Sequence, residues 1–169
     1  MDEILSFTVK EALLEEKDIL LNLYTLYGHD ISEFTKQSEV NERGLFELED
    51  ADEFINDEFL KAYLIWIKDK PAGFLLMGLG ENALDGCDFI IYDFFILRKY
   101  RKICIASKVI QGIFAENPGK YCVSDLEINT PSVEFWRSVI KQYDSDYVEE
   151  SFVTPMDEKF LFQIFEVKP

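Results

Sequence analysis

The feature that most constrains this chain is an apolar strand that runs through a short basic turn directly into a helix. It occupies residues 93–107, with the sequence Asp93-Phe94-Phe95-Ile96-Leu97-Arg98-Lys99-Tyr100-Arg101-Lys102-Ile103-Cys104-Ile105-Ala106-Ser107. A helix entered in this order presents unpaired backbone N–H groups and a positive dipole end to an anion. The segment therefore predicts an anion-binding turn between a strand and a helix.

The charge distribution indicates which anion such a turn would bind. The chain of 169 residues carries 17 lysines and arginines against 33 aspartates and glutamates, a formal net charge of -16. Five of those 17 cations nevertheless fall within 11 residues, namely Arg98, Lys99, Arg101, Lys102 and Lys108. One basic spot on an acidic protein favours a bound phosphate over a generally basic surface. The alternative is a solvated basic helix start without a ligand.

Composition excludes several classes of protein. A hydrophobic content of 48% with 15% aromatic residues excludes disorder, and strong acidity disfavours nucleic acid as a partner. No apolar span is long enough to cross a bilayer, and the start Met1-Asp2-Glu3-Ile4 lacks a secretory pattern. Cys87, Cys104 and Cys122 are widely spaced and show no metal pattern. We expect a cytoplasmic protein without a metal.

The rest of the chain mixes helical and strand patterns without a repeat or a linker. Apolar residues at helical spacing around 19–26 predict a first helix, and the acidic stretch 38–57 predicts a loop with a short helix. Strands are expected at 4–12, 62–67, 72–77, 89–97 and 121–128, with a turn at Asp69-Lys70-Pro71. Later helices are expected at 105–115 and 132–142, followed by a hairpin of 147–152 and 160–167. The pattern predicts one α/β domain over 1–169.

Two motifs in this order resemble the GNAT N-acetyltransferase superfamily. The family's pyrophosphate turn is Gln/Arg-x-x-Gly-x-Gly/Ala, which here reads Arg101-x-x-Cys104-x-Ala106. Its second pattern, Asn-x-x-Ala-x-x-aromatic, is similar to Asn129, Ser132 and Phe135-Trp136. The resemblance covers the second half to two-thirds of the chain and is thin before Ala62.

The resemblance implies a fold and a cosubstrate. The fold would be a single GNAT-like domain with a central mixed, mostly antiparallel twisted sheet of about six to seven strands flanked by helices. The acceptor side would lie mainly in 1–60 and the acetyl-CoA side mainly in 61–145. The residues implied to hold acetyl-CoA are Ile96, Leu97, Arg98, Arg101, Lys102, Ile103, Cys104, Ile105, Ala106, Ser107, Asn129 and Trp136.

The resemblance also implies how these residues act. Backbone groups of Ile96 and Arg98 would contact the pantetheine arm and the acetyl oxygen, on a strand that splays away from its neighbour. Arg98 or Lys99 would lie near the adenosine phosphate. Asn129 would reach the pantetheine arm, or would act only as a local helix cap before Ser132.

Cys104 departs from the family pattern, which has glycine at this position. In a left-handed conformation a cysteine costs about 1–2 kcal/mol, whereas in the first helical turn it costs little. The sequence leaves both alternatives open.

Candidate catalytic groups are few. Asp93 lies among apolar residues that would raise its pKa, which suits a base that takes the proton of an ammonium ion. Its alternative role is to pair with a cation or to accept backbone hydrogen bonds. Many relatives carry a tyrosine that donates a proton where this chain has Trp136, so Tyr143, or Tyr147 beyond it, is the candidate proton donor. Tyr143 is alternatively a packing residue.

The acceptor is the least determined part. Seven carboxylates within residues 47–58 could attract a polyamine, an aminoglycoside-like amine or a lysine side chain, or could form a solvated face. The leading hypothesis is direct acetyl transfer from acetyl-CoA to a primary amine of a small molecule or peptide. The alternative is a non-catalytic acyl-CoA-binding or interaction module on the same fold. A homodimer through the late strands is a further expectation from the family.

Overall fold

A computed structural model describes residues 6–169 of the chain. The elements are β1 Phe7–Glu11, α1 Lys17–Ile31, α2 Ala51–Asn56, β2 Leu60–Ile67, β3 Lys70–Leu79, β4 Phe89–Ile96, α3 Ile105–Glu116, β5 Gly119–Leu126, α4 Thr130–Ile140, β6 Val148–Val153 and β7 Lys159–Val167. Single 3₁₀ turns occupy 14–16, 80–82 and 98–100. The first residues of the strand expected at 4–12 lie outside the described residues.

All the strands within residues 6–169 form one sheet. Its order is β1-β2-β3-β4-β5-β7-β6, and every neighbouring pair is antiparallel except β4 and β5, which are parallel. Parallel neighbours need a crossover connection, and α3 supplies it. The predicted mixed, mostly antiparallel sheet flanked by helices is confirmed, with seven strands.

The hairpin between β2 and β3 corrects one prediction. The turn lies at Lys68 and Asp69, with φ of +50° and +59°, rather than at Asp69-Lys70-Pro71. Two successive residues with positive φ match the twist of the flanking strands, which makes this the favoured two-residue hairpin turn. Pro71 is accommodated inside β3 because the register shifts opposite it, between Ile65 and Trp66.

Helices cover both faces of the sheet. On one face α3 and α4 pack through Ile110, Phe114, Trp136 and Ile140 against buried side chains of the central strands. On the other face α1 and α2 pack through residues such as Leu20, Leu23 and Phe54. The chain is therefore a three-layer α/β structure, in which β4 is the central strand and contacts both helical layers.

A bulge in β4 changes which face its side chains occupy. Met77 pairs with Ile91 and the adjacent Leu76 pairs with Asp93, so Tyr92 is an extra residue. Residues two apart in a regular strand share a face. Here Ile91 packs with the α3 and α4 side, whereas Leu76 belongs to the cluster beneath α1. The bulge therefore turns Asp93 toward α1, as bulges beside functional sites often redirect a side chain.

We predict that Gly73→Ala destabilises the fold by about 2 kcal/mol or more, because added volume in a packed interior forces strain. Gly73 pairs with Ile96, and a Cβ at this position would lie 2.1 Å from the Phe95 carbonyl oxygen. Urea unfolding measures the effect. The matched control is Gly112→Ala in α3, where a Cβ meets nothing within 4 Å. The control should gain about 0.5–1 kcal/mol from helix propensity. Equal effects of the two substitutions would contradict the close approach of β3 to β4.

Candidate functional site

The two parallel strands at the centre of the sheet separate before they end. β4 and β5 pair only from Phe89 with Tyr121 to Ile91 with Val123. Beyond these pairs, β4 continues to Ile96 and β5 to Leu126. The splayed strand implied by the family resemblance is therefore present, and it opens a gap through the sheet beside the basic turn.

Two cavities meet at this gap. The acidic cavity, of about 730 Å³, is lined by residues of α1, β4, β5, α4 and the segment 35–49. The basic cavity, of about 450 Å³, is lined by residues of α1, β4, the basic turn and the starts of α3 and α4. Both are lined by Tyr27, Ile31, Phe94, Asn129 and Ser132.

The two cavities carry opposite charge. Six carboxylates line the acidic cavity, and none of the described residues that line it is a lysine, an arginine or a histidine. Arg98, Arg101 and Lys102 line the basic cavity together with the carboxylates Asp30 and Glu33. Charge is thus divided across a single opening in the sheet.

The start of α3 has the geometry of an anion site at the basic cavity. The helix begins at Ile105, and its N-cap residue Cys104 makes no side-chain capping hydrogen bond. The first N–H groups of a helix have no intrahelical acceptor, so those of Ile105, Ala106 and Ser107 are available to an anion. Ala106 also lines the cavity. The start of α3 therefore offers unpaired N–H groups beside the basic cavity, and anion binding there stays a prediction.

Cys104 adopts the conformation that favours glycine. Its φ and ψ are +60° and +6°, which is left-handed, so the costly one of the two alternatives is realised at about 1–2 kcal/mol. Lys102, two residues earlier, is also left-handed, with φ +62°. The turn therefore stores backbone strain directly before the helix.

Two of the predicted phosphate-side cations are held by Asp30, a residue that the sequence did not single out. Arg98 Nε lies 3.0 Å from Asp30 Oδ1, and Arg101 Nη2 lies 2.6 Å from Asp30 Oδ2. Although burial raises the pKa of Asp30, hydrogen bonds from Arg98 and Arg101 outweigh it and hold the pKa below its usual value. The ion pairs fix the turn to the last turn of α1. Lys102 also lines the basic cavity and forms no ion pair with a described residue, so its ammonium group is open to a ligand.

Alternate residues of β4 direct their backbone N–H and C=O groups into the gap, and the residues between them direct theirs toward β3. Leu97 donates its N–H to Ala72 of β3 at 2.8 Å, so the N–H groups of Ile96 and Phe94 point the other way. The Ile96 carbonyl accepts a hydrogen bond from Arg101 Nε at 2.7 Å. Of the Ile96 backbone groups, the N–H is therefore the one available to a ligand.

Asp93 lies at the gap because the bulge at Tyr92 turns its side chain toward α1. Tyr27 of α1 donates its hydroxyl to Asp93 Oδ1 at 2.5 Å. Burial raises the pKa of Asp93 above its ordinary value, and the hydrogen bond from Tyr27 opposes this. No cation pairs with Asp93 among the described residues, so its partner is a hydroxyl group that sequence reasoning missed. The available signal was the helical spacing of Tyr24 and Tyr27, which places both on one face of α1.

Asp125 of β5 is a second carboxylate that sequence reasoning missed. Ser132 donates its hydroxyl to Oδ1 at 2.7 Å, while Oδ2 is buried and accepts no hydrogen bond from a described residue. Burial raises the pKa of Asp125 to about 6, with the Ser132 hydrogen bond opposing and the charge of Asp93 adding to the shift. The signal was its position in phase with Tyr121 and Val123, which are inward-facing residues of the same strand.

The remaining predicted residues divide between the cavities and the core. Asn129 caps α4 by accepting from the Ser132 N–H at 3.4 Å, and it also lines both cavities. Trp136 packs on Phe94 and lines the acidic cavity. Tyr143 packs edge-on against Phe114 and lines neither cavity. The structure does not bring Tyr143 to Asp93.

The acidic stretch also divides. Glu47 and Glu49 line the acidic cavity, whereas Asp52 on α2 pairs with Lys17 at 2.6 Å.

Within residues 6–169 no group of three or more histidine, cysteine, aspartate or glutamate side chains has the arrangement of a metal site. No helix in that part of the chain has the length and apolarity needed to cross a membrane.

Comparison with known proteins identifies the fold. Neither the protein-family models nor the curated protein sequences match this chain. An acetyltransferase from Thermus thermophilus superimposes with a TM-score of 0.71 at 11% identity, over 97% of this chain and 99% of that one. A GNAT-family acetyltransferase from Streptococcus agalactiae 2603 gives 0.70 at 15% identity, over 96% of each chain.

A third solved structure holds a ligand. A putative streptothricin acetyltransferase from Bacillus anthracis str. Ames, in complex with acetyl coenzyme A, gives a TM-score of 0.59 at 13% identity over 96% of this chain and 99% of that one. The chain therefore has the fold of the GNAT acetyltransferases, as its motifs predict.

We predict that Asp125→Asn stabilises the protein more at neutral pH than at acid pH. An acid with a pKa of about 6 when folded and an ordinary value of 3.8 when unfolded binds more protons in the folded state. The free energy of unfolding therefore falls as the pH rises between these two values. The amide removes this penalty, so the variant should gain about 2–3 kcal/mol above pH 7 and little near pH 4.

Urea unfolding at the two pH values measures this difference. Ser132→Ala is the control: it keeps the carboxylate and removes a hydrogen bond that lowers the pKa of Asp125, so the dependence of stability on pH should persist and become steeper. A gain of the same size at both pH values would show that Asp125 does not carry the raised pKa.

Proposed function

We propose that the protein is an N-acetyltransferase that moves an acetyl group from acetyl-CoA to a primary amine of a small molecule or peptide by direct transfer. One observation carries this proposal: a positive, uncapped helix start and a carboxylate of raised pKa face each other across a single gap in the sheet. Direct transfer requires an anion-binding end, a polarised carbonyl group and a base near the amine, and the gap offers a candidate for each. We also propose that the protein acts in the cytoplasm.

Acetyl-CoA would enter from the basic side. The N–H groups of Ile105, Ala106 and Ser107, with the ammonium group of Lys102, would hold the pyrophosphate. The gap along β4, from Arg98 back to Phe94, would hold the pantetheine arm, with Asn129 and Trp136 on its other wall. The Bacillus anthracis structure, which has the same fold, is in complex with acetyl coenzyme A, and this supports acetyl-CoA as the cosubstrate.

The chemistry follows from the groups at the gap. Asp93 takes a proton from the acceptor ammonium, which leaves a lone pair on the nitrogen. That lone pair attacks the thioester carbonyl carbon, and the N–H groups of Ile96 and Phe94 stabilise the oxyanion. The C–S bond breaks, its electron pair leaves on sulfur, and the thiolate takes up the proton that the attacking nitrogen loses as it becomes an amide. Tyr27 holds Asp93 in place through the hydroxyl hydrogen bond.

The alternative function, a non-catalytic acyl-CoA-binding module, has its own support. Two residues depart from the family pattern: the left-handed Cys104 stands in place of glycine, and Trp136 stands where many relatives carry a tyrosine that donates a proton. Coenzyme binding without turnover would identify this alternative.

We predict that acetyl-CoA and coenzyme A both raise the melting temperature, and that free ATP at matched ionic strength raises it much less. A ligand at 100 times its dissociation constant adds about 2.7 kcal/mol to the stability of the folded state. Lys102→Glu should weaken coenzyme binding about tenfold or more, because it places a carboxylate at the pyrophosphate site. Lys168→Glu, an exposed residue that lines neither cavity, is the matched control. No shift with either coenzyme species would remove the proposal.

We predict that Asp93→Asn lowers kcat about a hundredfold or more while the KM for acetyl-CoA changes less than about twofold, because it removes only the proton acceptor. Tyr27→Phe is the companion variant. The hydroxyl hydrogen bond lowers the pKa of Asp93, so its loss should move the acidic limb of the pH–rate profile to higher pH. Turnover that is unchanged in Asp93→Asn would exclude Asp93 as the base.

A further inference from the structure

The acidic cavity is charged in a way that direct acetyl transfer does not require. One carboxylate is enough to deprotonate one amine, yet six carboxylates line this cavity and no described cation does. Apart from Glu158, these carboxylates form two groups. The inner pair is Asp93 and Asp125 at the gap, and the outer set is Glu39, Glu47 and Glu49 in the segment 35–49. The inner pair contains a buried oxygen without a hydrogen-bond partner among the described residues, whereas the outer set is exposed.

The inner pair holds an unsatisfied acceptor. Asp125 Oδ2 is buried without a hydrogen-bond partner among the described residues, while its other oxygen is held by Ser132. A buried carboxylate oxygen without a donor is costly, and an ammonium group with three donors is the natural complement. Asp93 lies close enough to raise the pKa of Asp125 through its charge. A cation bound at Asp93 and Asp125 would donate to the unsatisfied oxygen and would offset the repulsion between the two carboxylates.

The outer set comprises exposed carboxylates at the mouth. Glu39 and Glu49 line the cavity and form no ion pair with a described residue. Glu47 lines it as well, and accepts a hydrogen bond from Asn41 Nδ2 at 2.5 Å. These three side chains place negative charge where a second cationic group of a bound molecule would lie.

The segment that carries the outer set is fixed to the rest of the protein. Glu158, just before β7, accepts hydrogen bonds from the Thr35 hydroxyl, the Lys36 N–H and the Gln37 side chain. At the other end of the segment, Thr25 of α1 donates to the Phe46 carbonyl at 3.1 Å. The mouth is therefore built from a wall anchored at both ends.

We propose that the acceptor is a small polycation, an aliphatic amine with at least one further ammonium group, bound with its reacting nitrogen at Asp93 and Asp125 and its second cation at Glu39, Glu47 and Glu49. This inference rests on the proposed function for the identity of the reacting end. The volume of about 730 Å³ is that of a small-molecule site. Tyr24 and Phe46 line the same cavity and would pack against the methylene chain.

Calorimetric titration without coenzyme tests the polycation site directly. The probes are spermidine, cadaverine and hexylamine; hexylamine has a methyl group where cadaverine has its second ammonium. We expect affinity to rise with each ammonium group and to fall with added salt. Glu39→Gln combined with Glu49→Gln should weaken spermidine binding about fivefold. The same double variant should weaken cadaverine binding less, and hexylamine binding much less.

The matched control is Glu42→Gln combined with Glu116→Gln. It removes the same charge from exposed residues that line neither cavity, and spermidine binding should then change less than about twofold. An equal loss in both double variants would show only a general charge effect and would overturn the proposal.

Turnover with acetyl-CoA separates this inference from the proposed function. Acetylation of hexylamine as efficient as that of cadaverine, with equal binding of the two, overturns the polycation site while the transferase stands. Selective spermidine binding without acetylation of any probe upholds the site and overturns the transferase. Binding of an extended lysine peptide in preference to all three amines would also overturn the inference.

Discussion

The separation of β4 from β5 is the constraint on which the rest of the site depends. The strands pair at only three positions and then diverge, so that beyond Ile91 the edge of β4 that would pair with β5 faces a gap, while its other edge stays paired with β3. A sheet normally satisfies these N–H and C=O groups by pairing, and here they are left available to a ligand. The bulge at Tyr92 acts together with this gap, because it turns Asp93 to the α1 side while Asp125 stays on the α4 side.

Helix α1 couples the two ends of the gap. Tyr27 holds Asp93 at the acidic cavity, and Asp30 holds Arg98 and Arg101 at the basic one. Residues three apart in a helix lie on one face, so a single turn of α1 positions both the carboxylate and the basic turn. A shift of this helix would disturb both cavities together.

Sequence reasoning reached the local features of the fold and missed the long-range ones. The strand, basic turn and helix of 93–107 were predicted, because hydrophobic period and charge are encoded in adjacent residues. The conformation of Cys104 was not, since a cysteine carries no preference for positive φ. Asp30, Tyr27 and Asp125 were missed because their partners lie far away in sequence or on another element. The hairpin turn at Lys68 was misplaced because Pro71 dominates the local pattern.

The features that are unfavourable for folding cluster where a ligand would offset them. Lys68, Asp69 and Asp157 have positive φ in tight turns between paired strands, but Lys102 and Cys104 have it directly before α3, outside any hairpin. Asp125 Oδ2 is the only carboxylate oxygen among the buried side-chain atoms that lack a partner in the described residues. Strained backbone and a buried unpartnered charge persist when the surrounding structure enforces them, and they are typical of functional sites. The strained turn lies at the basic cavity, directly before the unpaired N–H groups of α3, and the unpartnered carboxylate oxygen lies at the acidic cavity. Hydrogen-bond donors on one side of the gap and a carboxylate on the other are what the proposed transfer, from an anionic donor to a cationic acceptor, requires.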